Sequence, residues 1–166
     1  AYSTNGTGSG GFVDIDAGGT FSMTDVNDRI YTYGSTAATD NRIDINASGI
    51  NFNGYATAQG RNNGNGGAIN LASAGDINLA GGRFNADYNG TGRGGNINIS
   101  TSAGGDLNMS GNSYLYTRNG NTTTGGGSIV ANVAGNIALS DTANLYAHGN
   151  TTDSYGGTVS LTAGGA

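Results

Sequence analysis

The chain repeats one motif, in which a small pair, usually Gly-Gly, precedes residues that alternate between apolar and polar. The first apolar residue of the motif falls at positions 13, 43, 69, 97, 129 and 159, so the repeat length varies from 26 to 32 residues. Sequence periods of about 20 to 50 residues are typical of solenoids and related arrays. The repeat therefore predicts a solenoid before any single residue is considered.

Two further apolar alternations complete each unit. The second covers residues 21–23, 50–52, 77–79, 107–109 and 137–139, and the third covers 30–32, 84–86, 115–117 and 145–147, with a blurred version at 55–58. Alternation with period two predicts β-strands, and equivalent strands of successive units stack about 4.8 Å apart. We therefore predict an all-β protein: a right-handed parallel β-helix with three short strands per coil and five to six coils, the hand following from the crossover rule.

The large aliphatic and phenylalanine residues are few. Leu, Ile, Val and Phe make up only 27 of the 166 residues, a content that indicates disorder when the net charge is high. Here the net charge is −5 and these residues recur in register, so we expect a thin core shared between coils. Residues 1–166 are then a single repeat domain, a segment of a longer array.

Several partners and activities are excluded by composition. Six dispersed Arg and an acidic net charge do not provide the basic face that nucleic acids require. The chain has no stretch of 18 apolar residues, so the sequence predicts no membrane insertion. The chain has no Cys, Lys or Glu and only one His, so we expect neither a disulfide framework nor an enzyme, and no cofactor.

The motif resembles a known group of proteins. The segments 64–71, 92–100 and 105–111, which read GNGGAINL, GRGGNINIS and GDLNMSG, are similar to filamentous-haemagglutinin-type repeats of two-partner-secretion exoproteins. The resemblance covers nearly the whole chain from Gly10, and the second unit departs from it with Asp40-Asn41-Arg42 in place of Gly-Gly. It implies a β-helical shaft, secretion to a bacterial cell surface, and a role in adhesion, biofilm or cell contact.

Outward positions also fall in rows. Asn51, Asn78 and Asn108 share one row, and Asn70 and Asn98 share another. Stacked Asn side chains can hydrogen-bond along such a row, as in cross-β ladders. We interpret these rows as stabilising the stack, with a binding surface as the alternative.

A calcium site is one candidate function for outward side chains. Asp14 and Asp16 point outward from one strand, and Asp44 and Asn46 are predicted to lie directly below them on the next coil. Oxygen ligands at such spacing suit Ca²⁺. The simpler interpretation is a solvated acidic patch.

A glycan-binding face is the second candidate. Tyr31, Tyr116 and Tyr146 occupy equivalent outward positions on the third strand, beside a row that contains Tyr33, Asp87, Arg118 and His148. Exposed aromatic rings with polar neighbours can stack on sugars of a host or matrix glycan. The alternative is a tyrosine ladder that shields the strand.

Three functional hypotheses follow. The first is a structural, non-catalytic shaft of a secreted bacterial adhesin, located outside the cell. The second is an extracellular filament subunit that self-associates, because residues 1–9 resemble the tail of a preceding coil and no capping segment is evident. The third is a carbohydrate-binding module that uses the tyrosine face.

Overall fold

The computed structural model describes residues 11–34, 41–62, 64–90, 92–118, 125–149 and 155–165, which form fifteen β-strands and no helix. No helix in this described part of the chain is therefore available to cross a membrane. The strands are β1 (Phe12–Met23), β2 (Arg29–Gly34), β3 (Arg42–Phe52), β4 (Tyr55–Asn62), β5 (Ala68–Ser73), β6 (Ile77–Ala80), β7 (Arg83–Asn85), β8 (Tyr88–Gly90), β9 (Asn96–Thr101), β10 (Leu107–Ser110), β11 (Tyr114–Tyr116), β12 (Ser128–Val133), β13 (Ile137–Leu139), β14 (Asn144–Tyr146) and β15 (Thr158–Ala163).

The strands stack in three parallel columns. The first column contains the first halves of β1 and β3 followed by β5, β9, β12 and β15, and the second contains their second halves followed by β6, β10 and β13. The third column is β2, β4, β7, β11 and β14, with β8 extending the pairing of β4. The predicted parallel β-solenoid is confirmed. It has about four turns, slightly fewer than the five to six coils predicted.

The register of the columns matches the sequence alignment of the units. In the first column Val13, Ile43, Ile69, Ile97, Ile129 and Val159 are successive partners. In the third column the blurred second unit contributes Ala56, which lies between Ile30 and Phe84. Ala56 is completely buried, and nearby the Phe52 and Phe84 rings pack with centroids 4.5 Å apart. The core is therefore one narrow apolar line that neighbouring coils share.

The Gly-Gly pairs are explained by close backbone approach at one corner. The Gly127 N–H donates at 3.0 Å to the carbonyl of Thr117, which follows the preceding third-column strand β11, and the Ser128 N–H donates at 3.1 Å to the carbonyl of Gly95, the equivalent glycine of the previous coil. A Cβ at Gly127 would collide with that Gly95 carbonyl oxygen. Asn41 replaces the glycine in the second unit, and its buried amide donates to the Gln59 carbonyl at 2.8 Å.

The two end coils leave inward side chains partly uncovered. Leu139, Val159 and Leu161 are each more than 40% exposed at one end, and Val13, Ile15 and Phe21 are only partly buried at the other. Equivalent positions of the middle coils, such as Ile97 and Ile129, are completely buried. Among the described residues, the core is thus covered on its sides by the three columns and is less covered at its two axial ends.

Candidate binding groove on the third column

The third column presents three outward rows, because alternate residues of its strands point away from the core. The pairing of β2, β4, β7, β11 and β14 fixes the register of the first two rows. The first row contains Arg29, Tyr55, Arg83, Tyr114 and Asn144. The second row contains Tyr31, Thr57, Asn85, Tyr116 and Tyr146. The third row, two residues further along, contains Tyr33, Gln59, Asp87, Arg118 and His148.

The structure brings two of the three predicted tyrosines together. The Tyr116 and Tyr146 rings meet edge to face, with centroids 5.4 Å apart and an angle of 69°. Tyr31 lies in the same row but is separated from them by the Thr57 and Asn85 coils. Tyr31 instead stacks on Tyr33 with centroids 5.6 Å apart. The row is therefore not one continuous aromatic platform.

A groove of about 550 Å³ lies on the coils that carry Tyr116 and Tyr146. Its lining residues are Asn85, Asp87, Asn112, Tyr114, Tyr116, Arg118, Asn144, Tyr146 and His148. This volume falls within the range of about 300–1,000 Å³ that is typical of small-ligand sites. We call these nine residues the tyrosine groove.

The aromatic walls of the tyrosine groove hold one another in place. His148 meets Tyr116 at 5.6 Å and Tyr146 at 6.0 Å, with interplanar angles of 90° and 80°. Tyr114 meets Tyr116 at 6.4 Å and 68°. Such edge-to-face contacts are a favourable geometry for aromatic pairs. The rings therefore support one another's orientation, and Tyr146 still keeps 41% of its surface exposed.

Asp87 is the unusual side chain of the tyrosine groove. It is only 3% exposed, and its Oδ1 atom has no hydrogen-bond partner among the described residues. Its Oδ2 atom lies 3.8 Å from Nη2 of Arg118, whose guanidinium also lies 5.2 Å from the Tyr116 ring centroid. Burial raises the pKa of the Asp87 carboxyl to about 6, and the positive charge of Arg118 opposes that rise.

The wall below the groove is an alternating ladder of Arg and Tyr. The Arg83 guanidinium lies between two rings, 5.0 Å from the Tyr55 centroid and 5.3 Å from the Tyr114 centroid. Its Nη1 also donates to the Tyr55 hydroxyl. Arg29, on the coil before Tyr55, lies 4.6 Å from the same ring centroid. These cation–π contacts fix Tyr114 against the next coil.

The calcium candidates lie in the predicted rows, and Asp16, Asp44 and Asn46 form hydrogen bonds along those rows. Asp14 pairs with Asp44, and Asp16 pairs with Asn46. The Asn46 amide donates to Asp16 Oδ1 at 3.1 Å. Among the described residues no three His, Cys, Asp or Glu side chains cluster as metal ligands would.

Both oxygens of the Asp44 carboxylate have donors. Asn70 Nδ2 donates to Oδ1 at 2.6 Å, and Arg42 Nε lies 2.8 Å from Oδ2. A carboxylate with both oxygens occupied by N–H donors offers less to a cation than a free one. The geometry of this patch therefore favours stacking over metal binding.

The asparagine rows hydrogen-bond along the axis. Asn98 donates to Asn70 at 2.7 Å, which in turn donates to Asp44. In the second column Asn108 donates to Asn78, and Asn78 donates to Asn51, both at 3.0 Å. Each amide therefore uses its neighbours as partners, which agrees with the interpretation that these rows stabilise the stack.

Sequence reasoning identified Asp87, Arg118 and His148 as neighbours of the tyrosines but missed Tyr114, Asn112 and Asn144. The signal for Tyr114 was present, because it lies two residues before Tyr116 and so points outward as well. Asn112 lies in a corner, and nothing in the sequence pattern indicates that it borders the groove.

Comparisons with protein-family models, with curated proteins and with solved structures gave no match to this chain. Functional proposals therefore depend on the chemistry of its own side chains.

Proposed function

We propose that this chain is a structural, non-catalytic shaft segment of a secreted bacterial surface exoprotein of the adhesin type. The observation that supports the proposal is the parallel pairing of all three columns, in which the inward core positions are in register from coil to coil. A stack of this kind resists bending because each coil is hydrogen-bonded to both neighbours. The secreted, adhesin-like part rests on the filamentous-haemagglutinin-type pattern of its repeats.

Rod shape and location are tested separately. Small-angle X-ray scattering of the natural protein that contains this chain should give a thin rod, with each coil adding about 4.8 Å of length. Antibodies against the chain should label intact producing cells, and brief protease treatment of those cells should remove the label. A compact scattering profile would refute the shaft, and antigen found only after cell lysis would refute surface display.

The second candidate function is end-to-end assembly into a filament. The observation that favours it is the partial exposure of inward apolar residues in the first and last described coils, including Val13, Leu139 and Leu161. Stacking of copies would bury these side chains and pair the open strand edges. Electron microscopy should then show ordered fibres with an axial repeat of roughly 24–29 Å, from five to six strands per column about 4.8 Å apart. A concentration-independent monomer in sedimentation velocity would refute it.

A further inference from the structure

We propose that the tyrosine groove binds a neutral carbohydrate, with the Tyr146 ring as the stacking platform and Asp87 Oδ1 as the acceptor for a sugar hydroxyl. This goes beyond the shaft function, because a shaft requires only the repeating parts of each coil. The groove is the part of the described chain where aromatic rings, a buried acid and amide side chains converge. Its binding function and the shaft function can therefore succeed or fail independently.

The first step of the inference is the hydrogen-bonding state of Asp87. A buried polar atom without a partner has lost its hydrogen bonds to water without replacement, and the loss is larger when the atom is charged. Asp87 Oδ1 is such an atom, and its side chain borders the groove. A ligand that donates a hydrogen bond to Oδ1 compensates for this loss, so the groove favours a hydroxyl or N–H donor at that point.

The second step is the charge of the groove. The positive charge of Arg118 lies beside the negative charge of Asp87 and balances it. Arg118 also lies over the Tyr116 ring, so a cationic ligand would compete with a cation already in place. An anionic ligand would meet the Asp87 carboxylate. The balanced pair therefore selects a ligand without net charge.

The third step is the remaining polar lining. Asn85, Asn112 and Asn144 each offer both donor and acceptor atoms. Sugar hydroxyls also donate and accept, so each amide can match a hydroxyl in either direction. The side-chain Oδ1 of Asn85 already accepts a hydrogen bond from the Asp87 backbone N–H at 3.2 Å, so Asn85 would meet a ligand through its Nδ2 donor. This mixture suits a polyhydroxylated molecule.

The fourth step is the aromatic surface. The C–H groups of a pyranose ring form an apolar face that packs against an aromatic ring. Tyr146 is 41% exposed, while Tyr116 and His148 pack against its ring and hold its orientation. A ring already held in place loses little conformational entropy when it binds a ligand.

The test is a glycan array carrying both neutral and acidic oligosaccharides, followed by calorimetric titration with the strongest neutral glycan. Tyr146→Ala removes the platform, and Asp87→Asn keeps the shape but replaces a carboxylate oxygen by a donor. Each variant should weaken binding about tenfold or more, which corresponds to about 1.4 kcal/mol. Tyr31→Ala is the matched control, because Tyr31 occupies the same row outside the groove.

Thermal unfolding of each variant shows whether it is folded before its binding is interpreted. Neutral-glycan binding that is lost in Tyr146→Ala and Asp87→Asn but retained in Tyr31→Ala supports the proposal. Should Tyr146→Ala fail to fold, Tyr146→Leu keeps the apolar volume without the flat ring and replaces it. An array that shows no neutral-glycan binding, shows acidic glycans alone, or shows binding unchanged in the folded variants overturns it.

Discussion

The asparagine-bearing first and second columns differ from the third in how their outward side chains find partners. On the first two, Asn98, Asn70 and Asp44 form one chain of donors and acceptors, and Asn108, Asn78 and Asn51 form another. On the third, the residue type changes at almost every step, and rings, guanidinium groups and one buried acid share the surface. The first arrangement satisfies its polar groups internally, whereas the second leaves Asp87 Oδ1 without a partner.

This difference separates two uses of the same backbone. A row of like amides is a solution that works at any coil, so it serves the stack wherever it occurs. In a mixed row the side chains cannot pair in the same way at every coil. Where such a row buries an acid, the folded state is less stable. Regular rows are therefore the structural surface, and the irregular third column is where binding is expected.

The largest effect is expected at the glycine corner of the first column. Gly127→Ala should destabilise the protein by about 3 kcal/mol or more, because the added Cβ meets the Gly95 carbonyl oxygen and the backbone cannot yield without losing inter-coil bonds. Urea denaturation measures the loss. Gly156→Ala is the matched control, since a Cβ there has no neighbour within 4 Å. Equal stabilities for the two variants would contradict this account of the Gly-Gly motif.

The next effect concerns the cost of the buried acid in the third column. The pKa of Asp87 is raised to about 6 in the folded protein, so the folded state holds its proton more tightly than the unfolded chain, whose aspartates titrate near 4. Stability from this group is complete below about pH 4 and falls as pH rises towards and through 6, by on the order of 3 kcal/mol. In Asp87→Asn this decline should disappear.

The pH experiment has a matched control in the same groove. His148 borders the groove beside Asp87, so His148→Gln changes a neighbouring side chain and leaves the Asp87 carboxyl in place. The profile of His148→Gln should therefore keep the decline between pH 4 and 6. A decline that survives unchanged in Asp87→Asn would contradict its assignment to the Asp87 carboxyl.

A smaller effect tests the amide rows. Asn70→Asp replaces the donor to Asp44 by a second carboxylate at the 2.6 Å contact, so we expect a loss of about 1–2 kcal/mol. Added salt should recover part of the loss, because both groups are near the surface. Asn70→Ala removes the bond without the repulsion and should show a salt-independent loss. Identical salt responses of the two variants would argue against the ladder.

The cation–π wall of the third column is expected to contribute less. Arg83→Met keeps an unbranched side chain but removes the charge between Tyr55 and Tyr114, which should cost about 1 kcal/mol. A double-mutant cycle with Tyr114→Leu isolates the ring contact from other losses. A coupling energy indistinguishable from zero would show that the alternating row is packing alone.

The smallest effect is a gain at a corner between the first and second columns. Ala103 has a φ of 52°, in the left-handed region that disfavours a Cβ. Ala103→Gly should therefore raise stability by about 0.5–1 kcal/mol, as measured by the thermal midpoint. Ala134→Gly, at the next corner with an ordinary φ, should lower it. A loss in both variants would refute the strain at Ala103.

The columns and their register could be predicted from the sequence because each inward position carries an apolar residue in successive units. Residues 69, 97 and 129 are aligned by the repeated motif, and the same residues are partners in the first column. The groove was less accessible to sequence reasoning. The burial of Asp87 depends on Arg118 and Tyr116, which belong to the neighbouring coil about 30 residues later in the sequence. The repeat period does not predict how much of Asp87 those side chains cover.

Tyr31 shows the same limit in another way. Its row position was predicted correctly, but its contacts depend on residues that do not repeat. Thr57 on the next coil has no ring to offer, and Tyr33 on the same strand stacks against it. Periodicity therefore assigns a side chain to a face of the solenoid, while its partners are decided by the individual residues of neighbouring coils.

The closed glycine corner has a consequence for where this chain tolerates insertions. The sequence separation between the inward residue of the third column and that of the first column of the next coil is always 13 or 14 residues. The pairs of positions are 30 and 43, 56 and 69, 84 and 97, 115 and 129, and 145 and 159. The sequence separation between the first and second columns varies more. It is shortest between positions 43 and 50 and longest between positions 97 and 107. A foreign peptide inserted near Gly104, which has open space around it, should therefore be tolerated, while one beside Gly127 would disrupt the close backbone contact with Gly95.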